Sequence, residues 1–216
     1  MINVIVYAVP FLVDGLLVTL YLSAIVVLLS LVLGGLLGTA IAYGSTPLAL
    51  SVRLFSDAVR GVPILVLIFF VFYGLPVIGI NLPNFAAAAV ALTVFKTAQT
   101  IETTRGALQT IHHGQMEAAK AVGLTFPQRM AYVILPQAAR RFLPPWINGV
   151  ADAVKGSALV SLLGVVDLTQ SIQQVIARTY EPMPLYVLGA VIYIAINFSL
   201  SALSRRLEAR YAYIRE

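Results

Sequence analysis

FLVDGLLVTLYLSAIVVLLSLVLGGLLGTAIAY, residues 11–43, is a run of 33 residues with Asp14 as its only charge. About 20 apolar residues suffice for a helix to cross the hydrocarbon core of a bilayer. This run exceeds a straight crossing, so it is expected to tilt or protrude. The first Lys or Arg of the chain is Arg53. Without the positive segment that opens a cleavable leader, residues 1–44 read as a retained span.

The rest of the chain has the same character. It is 60% hydrophobic and 11% charged over 216 residues, with mean hydropathy +0.92, a composition that suits lipid rather than water as solvent. Four further spans are expected. Residues 62–73, with flanks from about 54 to 75, start at Arg60-Gly61-Val62-Pro63 and end in Gly74-Leu75-Pro76, and residues 85–108 are apolar in their first half and polar in their second. Residues 145–164 are the least hydrophobic, and residues 184–203 the clearest. The expectation is an all-α integral membrane protein of five transmembrane helices, one domain over residues 1–216. The most polar connected stretch, residues 102–146, is shorter than the roughly 50 residues an independent domain needs. Soluble machinery therefore belongs on other chains.

A net charge of +5 does not suggest nucleic acid, because the Lys and Arg are scattered between apolar runs rather than gathered on a polar domain. They act instead as a topology signal, since short cytoplasmic loops are rich in Lys and Arg. With the first span running outside to inside, the inner segments carry Arg53, Arg60, Arg105, Lys120, Arg129, Arg140, Arg141, Arg205, Arg206, Arg210 and Arg215. Only Arg178 stays outside, and Lys96 and Lys155 fall within spans. The N-terminus is thus expected outside and the C-terminus in the cytoplasm. The absence of cysteine excludes disulfides and thiolate chemistry and says nothing of compartment.

Gly34 and Gly38 stand four apart with Ala42 one turn on, a small-residue face that lets another helix approach closely, within this chain or in a second subunit. Thr93, Lys96, Thr97, Thr100 and Thr104 form a polar stripe on the third span. Asn148, Asp152 and Lys155 form another on the fourth. Charges near the bilayer centre cost roughly 2.5–3.5 kcal/mol on insertion scales and seldom face lipid, so both stripes are expected to look inward. Two readings stay open: Asp152 neutralises Lys155 or Lys96, or these groups line a water-accessible path and meet a charged or zwitterionic solute. His112 and His113 are adjacent, share no helix face and have no acid at ligand spacing, so they read as solvated loop residues. No phosphate-binding glycine loop, dinucleotide fingerprint or nucleophilic triad is visible, and the chain is expected to be non-catalytic.

Between the third and fourth spans, residues 114–127 (GQMEAAKAVGLTFP) read as a short helix ended near Gly123 and stopped by Pro127, followed by a second turn from Arg129 to Leu135-Pro136. The sequence Glu117-Ala118-Ala119, then Gly123, then Ile134-Leu135-Pro136 resembles the E-A-A-x-x-x-G signature of the membrane subunits of bacterial ABC importers. Arg60 to Leu65, Phe69 to Pro76, Glu102 to Gly106, Leu135 to Ala138, Pro144 to Asn148 and Lys155 to Val165 are similar to the polar amino acid uptake branch, the histidine/glutamine type of permease. The resemblance implies a type I (MetI-like) permease with a cytoplasmic coupling loop over about residues 109–136. Glu117, Ala118, Ala119 and Gly123 would sit in the groove of an ABC ATPase.

It further implies a second permease subunit, identical or paralogous, two ATPases that use ATP and Mg while this chain binds no cofactor, an extracytoplasmic solute-binding protein, an amino acid substrate, and a bacterial inner membrane. Val62 stands where members carry Thr, His112 where they carry Pro, Lys96 among small or weakly polar residues, and Gln99 near a common aromatic. The pathway residues implied are Lys96, Gln99, Thr100, Asn148, Asp152 and Lys155; with both signs present they do not choose the solute. The competing reading is an ion-coupled secondary transporter or membrane enzyme relaying ions through Lys96, Asp152 and Lys155.

Overall fold

The glycine face of residues 11–43 sets how the helices meet. In the computed structural model, which describes residues 2–211, this tract belongs to α1 (Ile2–Tyr43), 42 residues and about 63 Å long at 1.5 Å per residue. The helix starts well before residue 11, carries Pro10 within it, and is about twice the hydrocarbon thickness. A Cβ on Gly34 would lie 2.5 Å from Thr100 Cβ, and one on Gly38 would lie 2.6 Å from Thr104 Cβ and 2.8 Å from the Ile101 carbonyl. Those residues belong to α5 (Asn84–Gln109). The small-residue face is therefore filled from within this chain.

The second expected span is broken. α2 (Thr46–Gly61) is amphipathic, burying Val52 and Ser56, and the Ser56 hydroxyl donates to the Ala98 carbonyl of α5 at 3.1 Å. Pro63 cannot continue a helix and holds Val62 extended at φ −95°, ψ 134°. The chain turns by 104° before α3 (Ile64–Phe69). A π-turn, Phe70–Gly74, leads into α4 (Leu75–Val77). The expected stop at Gly74-Leu75-Pro76 is not where the helix ends. Pro76 sits in the first turn of α4, and the exit is at Gly79, whose φ is +87°.

The fourth span differs in the same way. α6 (His113–Ala121) is followed by α7 (Phe126–Arg129), a π-turn Met130–Ile134, α8 (Leu135–Gly156) and a 3₁₀ segment Ser157–Leu163. The helix begins at Phe126 rather than residue 145. Pro127 does not stop the preceding helix but opens α7 from its first turn, where its missing N–H leaves no hydrogen bond unmade. Each π-turn immediately precedes a proline-bearing turn, Pro76 in α4 and Pro136 in α8. Widening the ladder to i→i+5 gives the ring room and removes the demand for its N–H.

α9 (Leu168–Thr179) follows at 49° to the preceding helix, and α10 (Pro182–Tyr211) closes the described fold. No strand occurs among the described residues. The main core joins Leu22 and Val26 of α1, Ile68 of α3 and Ala87, Ala88, Ala91 and Leu92 of α5. A second joins Ala8 and Leu12 of α1 to Leu168, Ile172 and Val175 of α9 and Leu185 of α10. Large apolar side chains point outward instead, among them Leu28 and Leu36 of α1 and Ile194 and Phe198 of α10; a bilayer accommodates that arrangement. Of the five expected spans, α1 and α10 are long and apolar enough alone, and up to four count if each bent pair is one span. α5 is absent from that number because polar side chains fill its second half. Arg215, counted above among the inner charges, lies outside the described residues.

Candidate functional site

Lys96 stands midway along α5 and is only 6% exposed. Its Nζ donates to Gln99 Oε1 at 3.3 Å, and among the described residues no carboxylate oxygen lies within ion-pair distance. The ammonium rests against Gly149 of α8, where any Cβ would collide with it. Beside it opens a cavity of about 220 Å³, walled by Val26, Ile64 and Phe95, into which Lys96, Gln99 and Asp152 converge. Asp152 is bonded to Lys155 one turn along α8 at 2.8 Å, with side chains 65% and 58% exposed. Of the two ion pairs left open by the sequence, the geometry makes the one within α8.

The first polar stripe is buried as expected: Thr93, Lys96, Thr97, Thr100 and Thr104 are all below 9% exposure. Its members serve different neighbours, however. Thr100 and Thr104 pack on the α1 glycines, the Thr100 hydroxyl donating to the Lys96 carbonyl at 2.9 Å, while Lys96 turns to Gly149 of α8. The second stripe reaches inward only through Asp152, at the rim of the cavity. Asn148, Asp152 and Lys155 lie on the exposed face of α8, because the apolar face, Ile147, Ala151 and Val154, is the one packed inside. Mutual neutralisation of Asp152 and Lys155 makes that exposure tolerable.

At the end of the bundle where α1 meets Thr104, α6 packs against Leu108 and Ile134 through Met116. His112 is its N-cap, Nδ1 accepting from the Gly114 N–H at 3.1 Å. His113 is inside the helix and faces Glu117 at 3.9 Å, so an acid does stand one turn from it, both side chains being open to solvent. Among the described residues no group of three metal-ligating side chains forms. The C-terminus is a Schellman turn: the Leu124 N–H donates to the Ala119 carbonyl at 3.2 Å and the Gly123 N–H to the Lys120 carbonyl at 3.0 Å. Gly123 takes φ +82°, with nothing near the position of a Cβ; backbone conformation, not space, demands glycine there. Ala119 is buried and Met116 packs into a cluster with Leu108, Met130, Ile134 and Ala138. Ala118, Ala121 and Val122 remain exposed, Val122 by 76%. α6 is thus a firmly seated helix with a small-residue face left free.

Two further features escaped the sequence reading. Glu102 Oε2 accepts from Arg105 at 2.7 Å and lies 3.8 Å from Arg60, tying the end of α2 to α5; the i, i+3 spacing of Glu102 and Arg105 signalled only the local half. Asp167, fully buried, caps α9 by accepting from the Gln170 N–H at 2.9 Å, and its other oxygen has no partner. An Asp opening an amphipathic run is the signal that could have found it.

Residues 30–213 match the family described as "Binding-protein-dependent transport system inner membrane component". The "Probable glutamine ABC transporter permease protein GlnP" of Bacillus subtilis (strain 168) is 37% identical over 204 residues, 93% of each chain. The "Glutamine transport system permease protein GlnP" of Escherichia coli (strain K12) is 36% identical over 205 residues, 94% of each chain. Among solved structures, an amino acid ABC transporter crystallised with histidines superposes with a TM-score of 0.86 at 32% identity, covering 95% of this chain and 96% of that one. An inward-facing MetNI methionine ABC transporter superposes at 0.75 and 23% identity over 91% and 96%, sharing the fold.

Proposed function

Because the chain belongs to the family of binding-protein-dependent transport system inner membrane components, a family of non-catalytic membrane permeases, we propose that it is the pathway subunit of a bacterial ATP-driven importer of polar or charged amino acids. One observation carries this reading. α6 is joined through the Gly123 turn to a continuous helical run, Phe126–Leu163, whose α7, π-turn, α8 and 3₁₀ segment follow one another without a loop and carry Gly149 and Asp152 to the Lys96 cavity. A push on α6 is therefore felt at the middle of the bundle. Energy released on another chain can bias a membrane equilibrium only through a contact that differs between its two states, and the free face of α6 is where that contact fits.

In this reading Glu117, Ala118, Ala119 and Gly123 form the joint with an ABC ATPase dimer, which holds the ATP and Mg. A second permease subunit covers the exposed face of α8 at Asn148 and Lys155. A solute-binding protein delivers the amino acid from outside, where the N-terminus lies. The orientation follows from the positive charges, several of which gather near the α6 end: Arg60 and Arg105 share Glu102, and Arg129 contacts Met116 of α6. Lys96, Gln99 and Asp152 face the solute, while Thr100 supports the pathway by packing on Gly34.

Co-purification in detergent tests the joint. A soluble ATPase should come down in stoichiometric amount with the wild-type chain and be lost on Ala118→Trp, a bulky change on an exposed position that leaves the bundle intact. ATP-independent accumulation of amino acids in vesicles carrying this chain would refute the proposal.

A further inference from the structure

We propose that the cavity between α5 and α8 is built for an acidic amino acid, with Lys96 as the counter-ion that selects its negative charge. The inference rests on the reading that this cavity lies on the solute path.

The argument is one of charge balance. Lys96 and Asp152 are the charged side chains lining the cavity, and Asp152 is already matched by Lys155 at 2.8 Å. The three together leave one positive charge in excess: Asp152, across the same cavity, is shared between two lysines, and the more buried of them, Lys96, is 6% exposed with the Gln99 amide oxygen as its hydrogen-bond acceptor at 3.3 Å. A buried ammonium whose one nearby carboxylate is also bonded to a second lysine is costly. Its presence makes sense where a ligand completes it. A solute of net charge −1 brings the site to neutrality; a zwitterion such as glutamine leaves it at +1, and arginine raises it to +2. Asp152 favours a substrate cation little, because its charge is already matched by Lys155 through Oδ1. Two features show that the ammonium is placed rather than merely accommodated. Gly149 supplies the notch it occupies, and Gln99, which orients it with Oε1, has an amide N–H₂ left to donate to a carboxylate beside Lys96.

The test is equilibrium binding of radiolabelled L-glutamate, L-glutamine and L-arginine to the purified permease–ATPase complex in nanodiscs. No solute-binding protein is added, so that the selectivity read is that of the membrane site. L-glutamate is expected to bind at least tenfold more tightly than either of the others, in keeping with a charge-assisted contact. Lys96→Gln should weaken glutamate at least tenfold and bring the glutamate-to-glutamine ratio near one. Gly149→Ala, which keeps every charge but pushes the ammonium from its notch, should weaken glutamate in the same direction, and carries the test if Lys96→Gln fails to assemble with the ATPase. Tighter binding of glutamine or arginine, a ratio untouched by both variants, or no saturable binding of any of the three overturns the inference. Those results leave ATP-driven uptake standing; failure to recover an ATPase in the detergent co-purification is the separate result that defeats the functional reading.

Discussion

The α1–α5 contact yields a prediction whose sign separates two roles for glycine. In a helix interior Gly→Ala ordinarily stabilises by about 1 kcal/mol, because alanine restricts the unfolded backbone. Gly35 is on the open side of α1 with nothing within 4 Å of a Cβ, so Gly35→Ala should show that ordinary gain. At Gly34 the added carbon would lie 2.5 Å from Thr100 Cβ and 3.2 Å from the Ile101 backbone nitrogen; at Gly38 it would lie 2.8 Å from the Ile101 carbonyl. Backbone atoms cannot rotate away as a flexible side chain can, so the two helices must separate. Overpacking of this kind costs about 1–3 kcal/mol per site, and subtracting the propensity gain leaves a net loss of about 0–2 for each. The double variant Gly34→Ala, Gly38→Ala should therefore lose about 2 kcal/mol. At about 2–4 °C per kcal/mol for a chain this size, its apparent Tm falls by roughly 4–8 °C while that of Gly35→Ala rises by a few degrees. The measurement is the fraction remaining monodisperse by size exclusion after heating in detergent, all variants at one heating rate because unfolding of such chains is seldom reversible. Shifts of the same sign in both variants would refute the close packing.

Other positions give independent checks. Gly123 needs a left-handed backbone, which costs a β-branched residue about 1–2 kcal/mol and asparagine less; Gly123→Val should uncouple ATP hydrolysis from uptake in vesicles while Gly123→Asn retains most of it, and equal loss in both would contradict the turn. Asp167→Ala removes the acceptor that caps α9 and should cost about 1–2 kcal/mol, whereas Asp167→Asn keeps an oxygen facing the Gln170 N–H and should cost less; thermal stability in detergent ranks the pair. Ser56→Ala deletes the bond to the Ala98 carbonyl and should lower stability by about 1 kcal/mol, seen also as faster proteolysis of α2, with unchanged digestion counting against that anchor.

How much could be read from residues alone varied with the physics involved. The apolar tracts and the small-residue face of α1 were legible because lipid imposes length and composition on a crossing helix, and close approach imposes small residues. Helix ends at prolines were misread. Pro63 breaks the chain as its chemistry demands, yet Pro76, Pro127 and Pro136 lie in first turns or behind π-turns, where the missing N–H is harmless; which applies depends on hydrogen bonds that spacing does not reveal. α2 and α9 were missed as separate amphipathic helices, since their apolar faces are short and meet partners distant in sequence.

By its own composition and order, this chain determines that it lives in a membrane, that it carries no catalytic apparatus, and that a short exposed helix with an E-A-A signature and a glycine stop lies between two spans. Those properties follow from local chemistry: hydropathy, backbone freedom and charge each act residue by residue. Only the tertiary structure decided that Asp152 bonds Lys155 rather than Lys96, that Thr100 packs on glycine while Lys96 turns to Gly149, and that Asn148 and Lys155 lie exposed on α8 while Asp152 reaches the rim of the Lys96 cavity. Each depends on how helices rotate against one another, and that rotation is fixed by backbone contacts such as Gly38 on Ile101, made between residues more than sixty positions apart in the chain.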